Sequence, residues 1–357
     1  MDRCVRPITT MKRIISYTEA IREATEQEMS RDSSVILLGQ GVDYDRGLLG
    51  TTKGLVDKFG PKRVFDTPLS EDGMTGISIG AAFAGLRPIH THVRMDFLTL
   101  TMNQLINIAA KARYMFGGAV KVPLVIRTLI GDGWGAQHSQ GLHSFFVNIP
   151  GIKVVAPSTP FDAKGCLIQA IRDNNPVIFI EHFNLYAEKG HVPEKPYAIP
   201  FGKAVIRKKG SDITLVGISY MSIETLSAAR HLEEIGVSAE VIDPVSLAPL
   251  DIDTIITSVQ KTGKLVVVDA AWTSCGVSAE IVARVAEHFG TKKGIRVERI
   301  GFAPVPSPNS PALEKFFYPN AQSIARMALM MVRGKTAKMR FAAKKAGPTN
   351  DGMAEKV

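Results

Sequence analysis

The sequence predicts an α/β protein built from two three-layer domains. Short apolar runs rich in β-branched residues alternate with segments of helical apolar spacing, which is typical of parallel strands covered by crossover helices. The chain has 357 residues, more than the roughly 100–200 of a typical domain. A polar, proline-bearing stretch at 188–200 separates two alternating segments. We therefore predict domains over residues 12–195 and 201–332.

In the first domain, Ser16 and Thr18 are candidate N-caps of a helix that reaches Glu28. Alternation of apolar runs and helical periods continues to residue 181. Strands are predicted over 35–39, 64–66, 88–92, 123–127, 153–155 and 177–181, and helices over 73–85, 98–115 and 162–172. This order predicts a mostly parallel sheet with helices on its faces.

The second domain repeats the same alternation. Gly236 and Gly290 end two of its predicted helices, since glycine readily adopts the left-handed backbone that follows a helix. Strands are predicted over 213–217, 239–242, 265–268 and 295–300, and helices over 223–232, 251–260 and 277–289. We therefore expect a second parallel sheet.

Composition narrows the class of protein. Apolar residues make up 45% of the chain and charged residues 22%, which excludes a disordered or fibrous chain. The longest low-polarity stretch, 76–86, is shorter than the roughly 18 apolar residues of a membrane span. Cys4, Cys166 and Cys275 are far apart and suggest neither a disulfide framework nor a zinc site. We expect a cytoplasmic protein without an export signal.

The net charge of +9 is concentrated at the C-terminus. Residues 333–357 hold seven Lys or Arg side chains against Asp351 and Glu355, which is over half of that net charge. The segment has one aromatic residue, Phe341, and lacks the interleaved aromatics of a single-strand nucleic-acid groove. We therefore predict a disordered, solvated basic tail and no nucleic-acid partner.

Glu71 and His138 are the first candidates for chemistry. Glu71 lies in 66–73, which joins the end of a predicted strand to the start of a helix, where open α/β sheets build ligand sites. The alternative is that Glu71 only compensates the helix dipole. His138 lies in a polar loop, 135–141, where a histidine can exchange protons near neutral pH. Its alternative is a loop histidine bonded to the backbone.

Other candidates favour structural roles. His90 and His92 project to one face of a strand and suit a metal with a third ligand, but buried, hydrogen-bonded histidines are favoured. Asp132 lies in a Gly-Asp-Gly turn, yet no asparagine follows at the spacing of a diphosphate-binding metal motif, so the chain lacks a recognisable phosphate cradle. Small residues at 76, 80 and 84 predict a close helix contact, between subunits or within the chain.

Several segments together resemble the beta subunit of the thiamine diphosphate-dependent decarboxylating component of 2-oxo acid dehydrogenase complexes, the pyruvate and acetoin dehydrogenase type. The resemblance covers about residues 14–332. It is carried by DTPLSE (66–71), GLRP (85–88), QHSQ (137–140), PGIKVV (150–155), DAKG (162–165), AIRDNNPV (170–177) and KTG (261–263). It implies a pyrimidine-binding, transketolase-like N-terminal domain and a transketolase-like C-terminal domain.

The resemblance also implies the partners and cofactors. It implies two alpha and two beta chains in a heterotetramer, with thiamine diphosphate held between an alpha and a beta subunit. The alpha subunit would carry Mg²⁺ and the diphosphate, which would explain the missing cradle. Glu71 matches the glutamate that bonds the aminopyrimidine nitrogen, Phe97 an aromatic beside that ring, and His138 a histidine that assists acyl transfer.

The same resemblance implies a structural monovalent cation, often K⁺. The matching positions offer carbonyls and a carboxylate, which suit a hard cation. They are Leu124, Ala170, Ile171, Asp173 and Asn175. A plain turn at a helix end is the alternative. Three departures from the family pattern, Gln40, Thr91 and Asn103, stand where relatives often have acids proposed to relay protons between sites, and amides do not titrate.

We therefore predict an enzyme that decarboxylates a small 2-oxo acid, or cleaves acetoin, and passes the acyl unit to the lipoyl group of an acyltransferase. One alternative is a split transketolase-like enzyme that transfers a two-carbon or acyl unit to an aldehyde. A non-catalytic assembly subunit is the alternative of another class. A ferredoxin-linked oxidoreductase is disfavoured because the chain lacks clustered cysteines.

Overall fold

The computed structural model describes residues 13–290 and 294–334. Nearly all of the predicted basic tail, from residue 335, lies outside the described residues. The strands are β1 (Ile14–Ser16), β2 (Val35–Gly39), β3 (Val64–Phe65), β4 (Arg87–His92), β5 (Val125–Ile130), β6 (Lys153–Val155), β7 (Val177–His182), β8 (Lys189–His191), β9 (Val205–Lys208), β10 (Ile213–Gly217), β11 (Ala239–Asp243), β12 (Ser246–Ala248), β13 (Lys264–Trp272) and β14 (Arg296–Phe302).

The α-helices cover these strands. They are α1 (Tyr17–Arg31), α2 (Leu55–Phe59), α3 (Glu71–Phe83), α4 (Met95–Leu98), α5 (Ala110–Met115), α6 (Ser144–Val147), α7 (Pro160–Arg172), α8 (Met221–Glu233), α9 (Ile252–Thr262), α10 (Val277–Phe289), α11 (Pro311–Phe317) and α12 (Ala321–Arg333). Ser16 caps α1 as predicted: its hydroxyl accepts from the Glu19 backbone N–H, and the Glu19 carboxylate accepts in return from the Ser16 backbone.

The first sheet has seven strands, in the order β12-β6-β7-β5-β4-β2-β3. All of its pairs are parallel except that between β12 and β6. The predicted strands over 35–39 and 153–155 are confirmed with the same bounds. The edge strand β12 comes from the second half of the chain, which therefore completes the sheet of the first half.

The second sheet has five strands, in the order β14-β13-β10-β11-β9. Only β9 runs antiparallel to its neighbour. The predicted strand over 213–217 and the helix over 277–289 are confirmed with the same bounds. The α/β fold with two mostly parallel sheets is thus confirmed.

The helix predicted over 98–115 is not regular. The chain is helical from Met95, but α4 passes through a 3₁₀ turn at Thr99–Thr101 and a π-helical segment at Asn103–Ala109 before α5. Such π segments are rare and often lie at functional sites. The strand predicted over 123–127 runs instead over 125–130, because Pro123 has no N–H to donate and Leu129 and Ile130 pair with β7.

The centre of the first sheet holds a buried ion pair. Arg127 on β5 donates from Nε and Nη2 to the Glu181 carboxylate on β7, at 2.7 and 2.9 Å, and both side chains are buried. The Tyr186 hydroxyl donates to the same carboxylate at 2.7 Å.

Of the helices within the described residues, none is both long and apolar enough to cross a membrane.

Candidate active site

The candidate site lies at the carboxyl ends of β2 and β4, beside the start of α3. Gly39 ends β2, where any side chain would meet the Thr91 carbonyl at 2.4 Å, so only glycine allows β2 and β4 to end this close together. A small cleft lies beside the ends of these two strands. Its lining residues are Gln40, Thr67, Pro68, Ser70, Glu71, Met74, His90, Thr91, His92, Val93, Arg94 and Phe97.

Glu71 is the first residue of α3 and is half-buried in the cleft wall. Ser70, which precedes it, makes no side-chain capping bond to α3. Within the described part of the chain, the Glu71 carboxylate has no hydrogen-bond or ion-pair partner, whereas the exposed Asp72 carboxylate accepts from Gln104 Nε2 at 3.3 Å. Glu71 therefore presents an unoccupied acceptor to the cleft.

Phe97 and His138 are brought together by the structure. The His138 ring lies edge-on to the Phe97 ring, with 5.3 Å between centroids and 84° between planes. Asp96 fixes this contact, because its Oδ1 accepts from Gln140 Nε2 at 2.8 Å. Of the three residues predicted for chemistry, Glu71 and Phe97 thus line one cleft, and His138 contacts Phe97 without lining it.

The loop that carries His138 is held by the C-terminal part of the chain. Nε2 of His143 lies 3.0 and 3.1 Å from the two carboxylate oxygens of Asp269, and both side chains are buried. A Cβ at Gly141 would lie 1.9 Å from the Ala270 carbonyl, so β13 packs directly on the loop backbone. Sequence reasoning missed Asp269, although an acid at the end of the apolar run 265–268 was a visible signal.

His90 and His92 are buried and hydrogen-bonded, as predicted. Ser78 Oγ lies 3.2 Å from Nδ1 of His90, and Thr75 Oγ1 lies 3.4 Å from Nε2 of His92. Burial lowers the pKa of His90 to about 4, and burial together with His90 holds the pKa of His92 well below its usual value. Both rings are therefore neutral at pH 7. No cluster of three metal-ligating side chains occurs among the described residues.

The three departures from the family pattern separate in space. Gln40 and Thr91 line the cleft, and Thr91 Oγ1 is buried without a hydrogen-bond partner among the described residues. Asn103 is exposed on the π-helical segment, where its Oδ1 accepts from Asn107 Nδ2 at 2.9 Å. The structure therefore places Gln40 and Thr91 near Glu71 and leaves Asn103 outside the cleft.

The residues of the predicted cation site lie at the end of α7, in the turn that follows it, and just before β5. Its oxygens already have partners: Asp173 pairs with Lys153, and Nη1 of Arg87 donates to the Ile171 carbonyl at 3.0 Å. The Leu124 carbonyl accepts from Val177 N at 2.9 Å. Asp173 Oδ1 also accepts from Asn175 Nδ2 at 3.0 Å. Two side-chain cations therefore compete with a metal here, and K⁺ at this loop stays a prediction.

The small-residue stripe of α3 is partly open. A Cβ at Gly76 would meet the Gln104 side chain at 3.4 Å, but nothing lies within 4 Å of one at Gly80. Ile77 and Phe83 on the same helix are 59% and 45% exposed.

Asp132, the residue of the Gly-Asp-Gly turn, accepts a hydrogen bond from Asn184 Nδ2 at 2.6 Å, and burial raises the pKa of its carboxyl group.

Comparison with known proteins identifies the family. The pyrimidine binding domain of transketolase matches residues 13–189, and the transketolase C-terminal domain matches residues 202–324. The beta subunits of acetoin:2,6-dichlorophenolindophenol oxidoreductase from Cupriavidus necator and Bacillus subtilis are 48% and 44% identical, over 91% and 90% of this chain and 99% and 98% of theirs.

A third relative carries another name. The pyruvate dehydrogenase E1 component subunit beta of Rickettsia bellii is 43% identical over 87% of this chain and 96% of its own. Among solved structures, a split-gene transketolase, described as an inactive beta4 tetramer, matches with a TM-score of 0.72 and 22% identity. The match covers 89% of this chain and 100% of the solved chain, and it supports the fold. The chain therefore belongs to the transketolase-like family, among the beta subunits of the acetoin and pyruvate dehydrogenase type.

Proposed function

We propose that this chain is the beta subunit of a thiamine diphosphate-dependent dehydrogenase that acts on a small 2-oxo acid or acetoin. The observation that carries the proposal is that Glu71 and Phe97 line one cleft and that His138 contacts Phe97. An aromatic ring and an unpartnered carboxylate suit a flat heterocycle with ring nitrogens. Family membership and the identity with named dehydrogenase subunits support the same assignment.

The cleft residues fit the aminopyrimidine of thiamine diphosphate. When bound, this cofactor supplies the nucleophilic carbon that adds to the substrate carbonyl. Glu71 would hold a proton at a pyrimidine ring nitrogen and so set the protonation of that ring. Phe97, which lines the cleft, would pack against the pyrimidine and limit the access of water. His138 donates and accepts protons at its ring nitrogens during acyl transfer, in the position that its edge contact with Phe97 defines.

An alpha subunit completes the proposed site. It would bind Mg²⁺ and the diphosphate, since this chain has no recognisable phosphate-binding motif. Large apolar side chains exposed on this chain support a multi-subunit assembly, which we propose to be two alpha and two beta chains. They include Ile77 and Phe83 on α3, and Tyr114, Met115 and Phe116 at the end of α5, which are 90%, 68% and 57% exposed.

Replacement of Glu71 tests the proposal. In Glu71→Gln, the loss of the carboxylate should lower turnover of the reconstituted alpha–beta assembly roughly 10²- to 10⁴-fold, because proton transfer by a positioned group contributes about that much. Turnover is measured by reduction of an artificial electron acceptor with pyruvate and with acetoin, and assembly by size-exclusion chromatography.

Asp72→Asn is the matched control, because it makes the same chemical change one residue along α3 at an exposed acid. It should keep near-normal turnover. Near-normal turnover in an assembled Glu71→Gln variant would falsify the assignment of Glu71.

The acyl acceptor is a separate part of the proposal. We expect the wild-type assembly to transfer the acyl unit to a lipoylated carrier domain from an acyltransferase. Aldehyde acceptors serve as the comparison, since a transketolase-like enzyme would use them. Faster transfer to aldehydes than to the lipoyl group would contradict the dehydrogenase assignment and favour the transketolase alternative.

A further inference from the structure

Arg94 is a charged residue in the cleft that neither the fold nor the proposed cofactor contacts explain. It follows β4 and lines the same cleft as Glu71 and Phe97. On the basis of the proposed function, we propose that Arg94 binds the carboxylate of a 2-oxo acid substrate and makes the enzyme prefer this anion to neutral acetoin.

The guanidinium group of Arg94 is held in place but not neutralised. It stacks on the Trp134 ring at 3.9 Å from the centroid, and its Nη1 donates to the Val93 carbonyl at 2.9 Å. Its Nε is buried without a hydrogen-bond partner, and within the described residues no carboxylate lies within 4.0 Å to form an ion pair. A buried donor without a partner is costly and points to a ligand that accepts from it.

The neighbouring carboxylate of Asp96 does not take this role. Its Oδ1 accepts from the backbone N–H and Nε2 of Gln140, at 3.3 and 2.8 Å. Its Oδ2 is buried without a hydrogen-bond partner among the described residues, so neither oxygen of Asp96 bonds the guanidinium. Nε and Nη2 of Arg94 therefore remain available as adjacent donors. Such a pair matches the two oxygens of a carboxylate, which is the usual bidentate geometry of arginine.

Arg94 also sets the sign of charge in the cleft. The other basic side chains that line it, His90 and His92, are neutral at pH 7 because burial lowers their pKa values. Arg94 is thus the one lining residue with a positive charge, in the same cleft as the Glu71 carboxylate. An anion that approaches the cleft gains from Arg94, whereas a neutral acyloin gains little from it.

Arg94 stands close to the groups that we assign to chemistry. Trp134, on which it stacks, belongs to the loop of His138, and the Trp134 backbone N–H donates to Ser139 Oγ at 2.9 Å. Phe97, three residues after Arg94, contacts the His138 ring. A carboxylate bound to Arg94 would therefore lie beside the proposed pyrimidine and histidine positions.

The test compares an anionic with a neutral substrate in the complete alpha–beta assembly with thiamine diphosphate and Mg²⁺. Arg94→Met keeps an apolar stem against Trp134 but removes the charge. It should lower kcat/KM for pyruvate about 10- to 100-fold, mainly through KM, because a charge-assisted bidentate contact contributes about that much. For acetoin the change should stay within about 2-fold. Arg94→Lys, which keeps the charge without the fork, should recover part of the loss.

A binding measurement does not depend on turnover. Calorimetry on the same assembly gives dissociation constants for methyl acetylphosphonate, an anion, and for its neutral dimethyl ester. Arg94→Met should raise the dissociation constant of the anion by about the factor by which it lowers kcat/KM for pyruvate. It should leave the dissociation constant of the neutral ester unchanged.

The failures are distinguishable. If an active Arg94→Met assembly loses equally on both substrates, or loses nothing, or if both phosphonates bind it as they bind wild type, the role of Arg94 is overturned while the proposed function stands. If the wild-type assembly turns over acetoin but not pyruvate, Arg94 is again not a carboxylate site. If wild type turns over neither substrate, the proposed function itself is contradicted.

Discussion

The two sheets share one architecture but use their carboxyl edges differently. At the carboxyl ends of β2 and β4 the first sheet leaves a cleft with Glu71 and Arg94 on its walls. At the same edge of the second sheet, Asp269 is fully buried against His143, and Tyr220, which follows β10, stacks on His182 at 4.9 Å. The second edge is filled by protein from the first domain.

The difference shows that strand ends alone do not define a ligand site. Parallel strands gather loop ends at one edge in both sheets. Whether that edge binds a ligand or supports another part of the chain depends on what covers it. In this molecule the filled edge supports the loop that carries His138, so the second domain contributes to the site of the first without lining its cleft.

The largest expected loss of stability comes from breaking the buried pair of Arg127 and Glu181, in the sheet with the open edge. Glu181→Gln removes the charge that balances Arg127 and should reduce the free energy of unfolding by about 3–5 kcal/mol, because an uncompensated buried guanidinium remains. Urea-induced unfolding of the full chain measures this loss. It tests whether the open edge depends on a rigid polar centre between β5 and β7.

Lys58→Gln is the control for that change. Lys58 pairs with Glu26 at 2.6 Å, but its side chain is 50% exposed, so the loss should be at most about 1 kcal/mol. A Glu181→Gln variant no less stable than Lys58→Gln would show that the buried pair does not stabilise the first sheet.

The pH dependence of the free energy of unfolding tests whether burial keeps His90, at the open edge of the first sheet, neutral. The folded pKa of His90 is about 4, against about 6.5 in an unfolded chain. The unfolded chain therefore takes up a proton first as the pH falls. The stability present above pH 6.5 is lost between pH 6.5 and 4, by roughly 3 kcal/mol at pH 4 from His90.

His90→Asn removes this titration while an amide can still bond Ser78. In urea unfolding series over pH 7.5 to 4, the variant should lose less stability per pH unit than wild type, by about 1.4 kcal/mol per unit below pH 6.5. His92 stays in both proteins, and burial, the larger cause of its lowered pKa, remains in the variant. Parallel pH curves for the two proteins would mean that His90 is not kept neutral by burial.

How far the sequence predicts this molecule differs between fold and site. Regular apolar runs such as 35–39 and 213–217 are local signals, and their strands have the predicted bounds. Glu71 and His138 were predicted from local motifs and Phe97 from the family resemblance; the structure places Glu71 and Phe97 in one cleft and His138 against Phe97. Residues such as Asp269 and Arg94 were missed, because their roles come from contacts with residues distant in the chain, His143 and Trp134. No local period reports such contacts.

The smallest expected effect on stability tests the filled edge directly. Asp269→Leu removes the acceptor for His143 and leaves a buried N–H unpaired, which should cost about 1–3 kcal/mol of unfolding free energy. Because His143 ends the loop of His138, the variant should also slow acyl transfer to the lipoyl group more than it slows reduction of an artificial acceptor. Asp269→Asn, which keeps a carbonyl oxygen at the same place, should recover most of both losses.

The two half-reactions separate support of the loop from general destabilisation. A domain that merely loosens would lower both rates together, since each needs the same assembled cleft. A displaced His138 would lower the transfer step in particular, because the artificial acceptor does not require that histidine under the proposed mechanism. Equal losses in Asp269→Leu, or no recovery in Asp269→Asn, would mean that the second sheet supports the fold and not the position of His138, and the contrast between the two edges would then be one of packing alone.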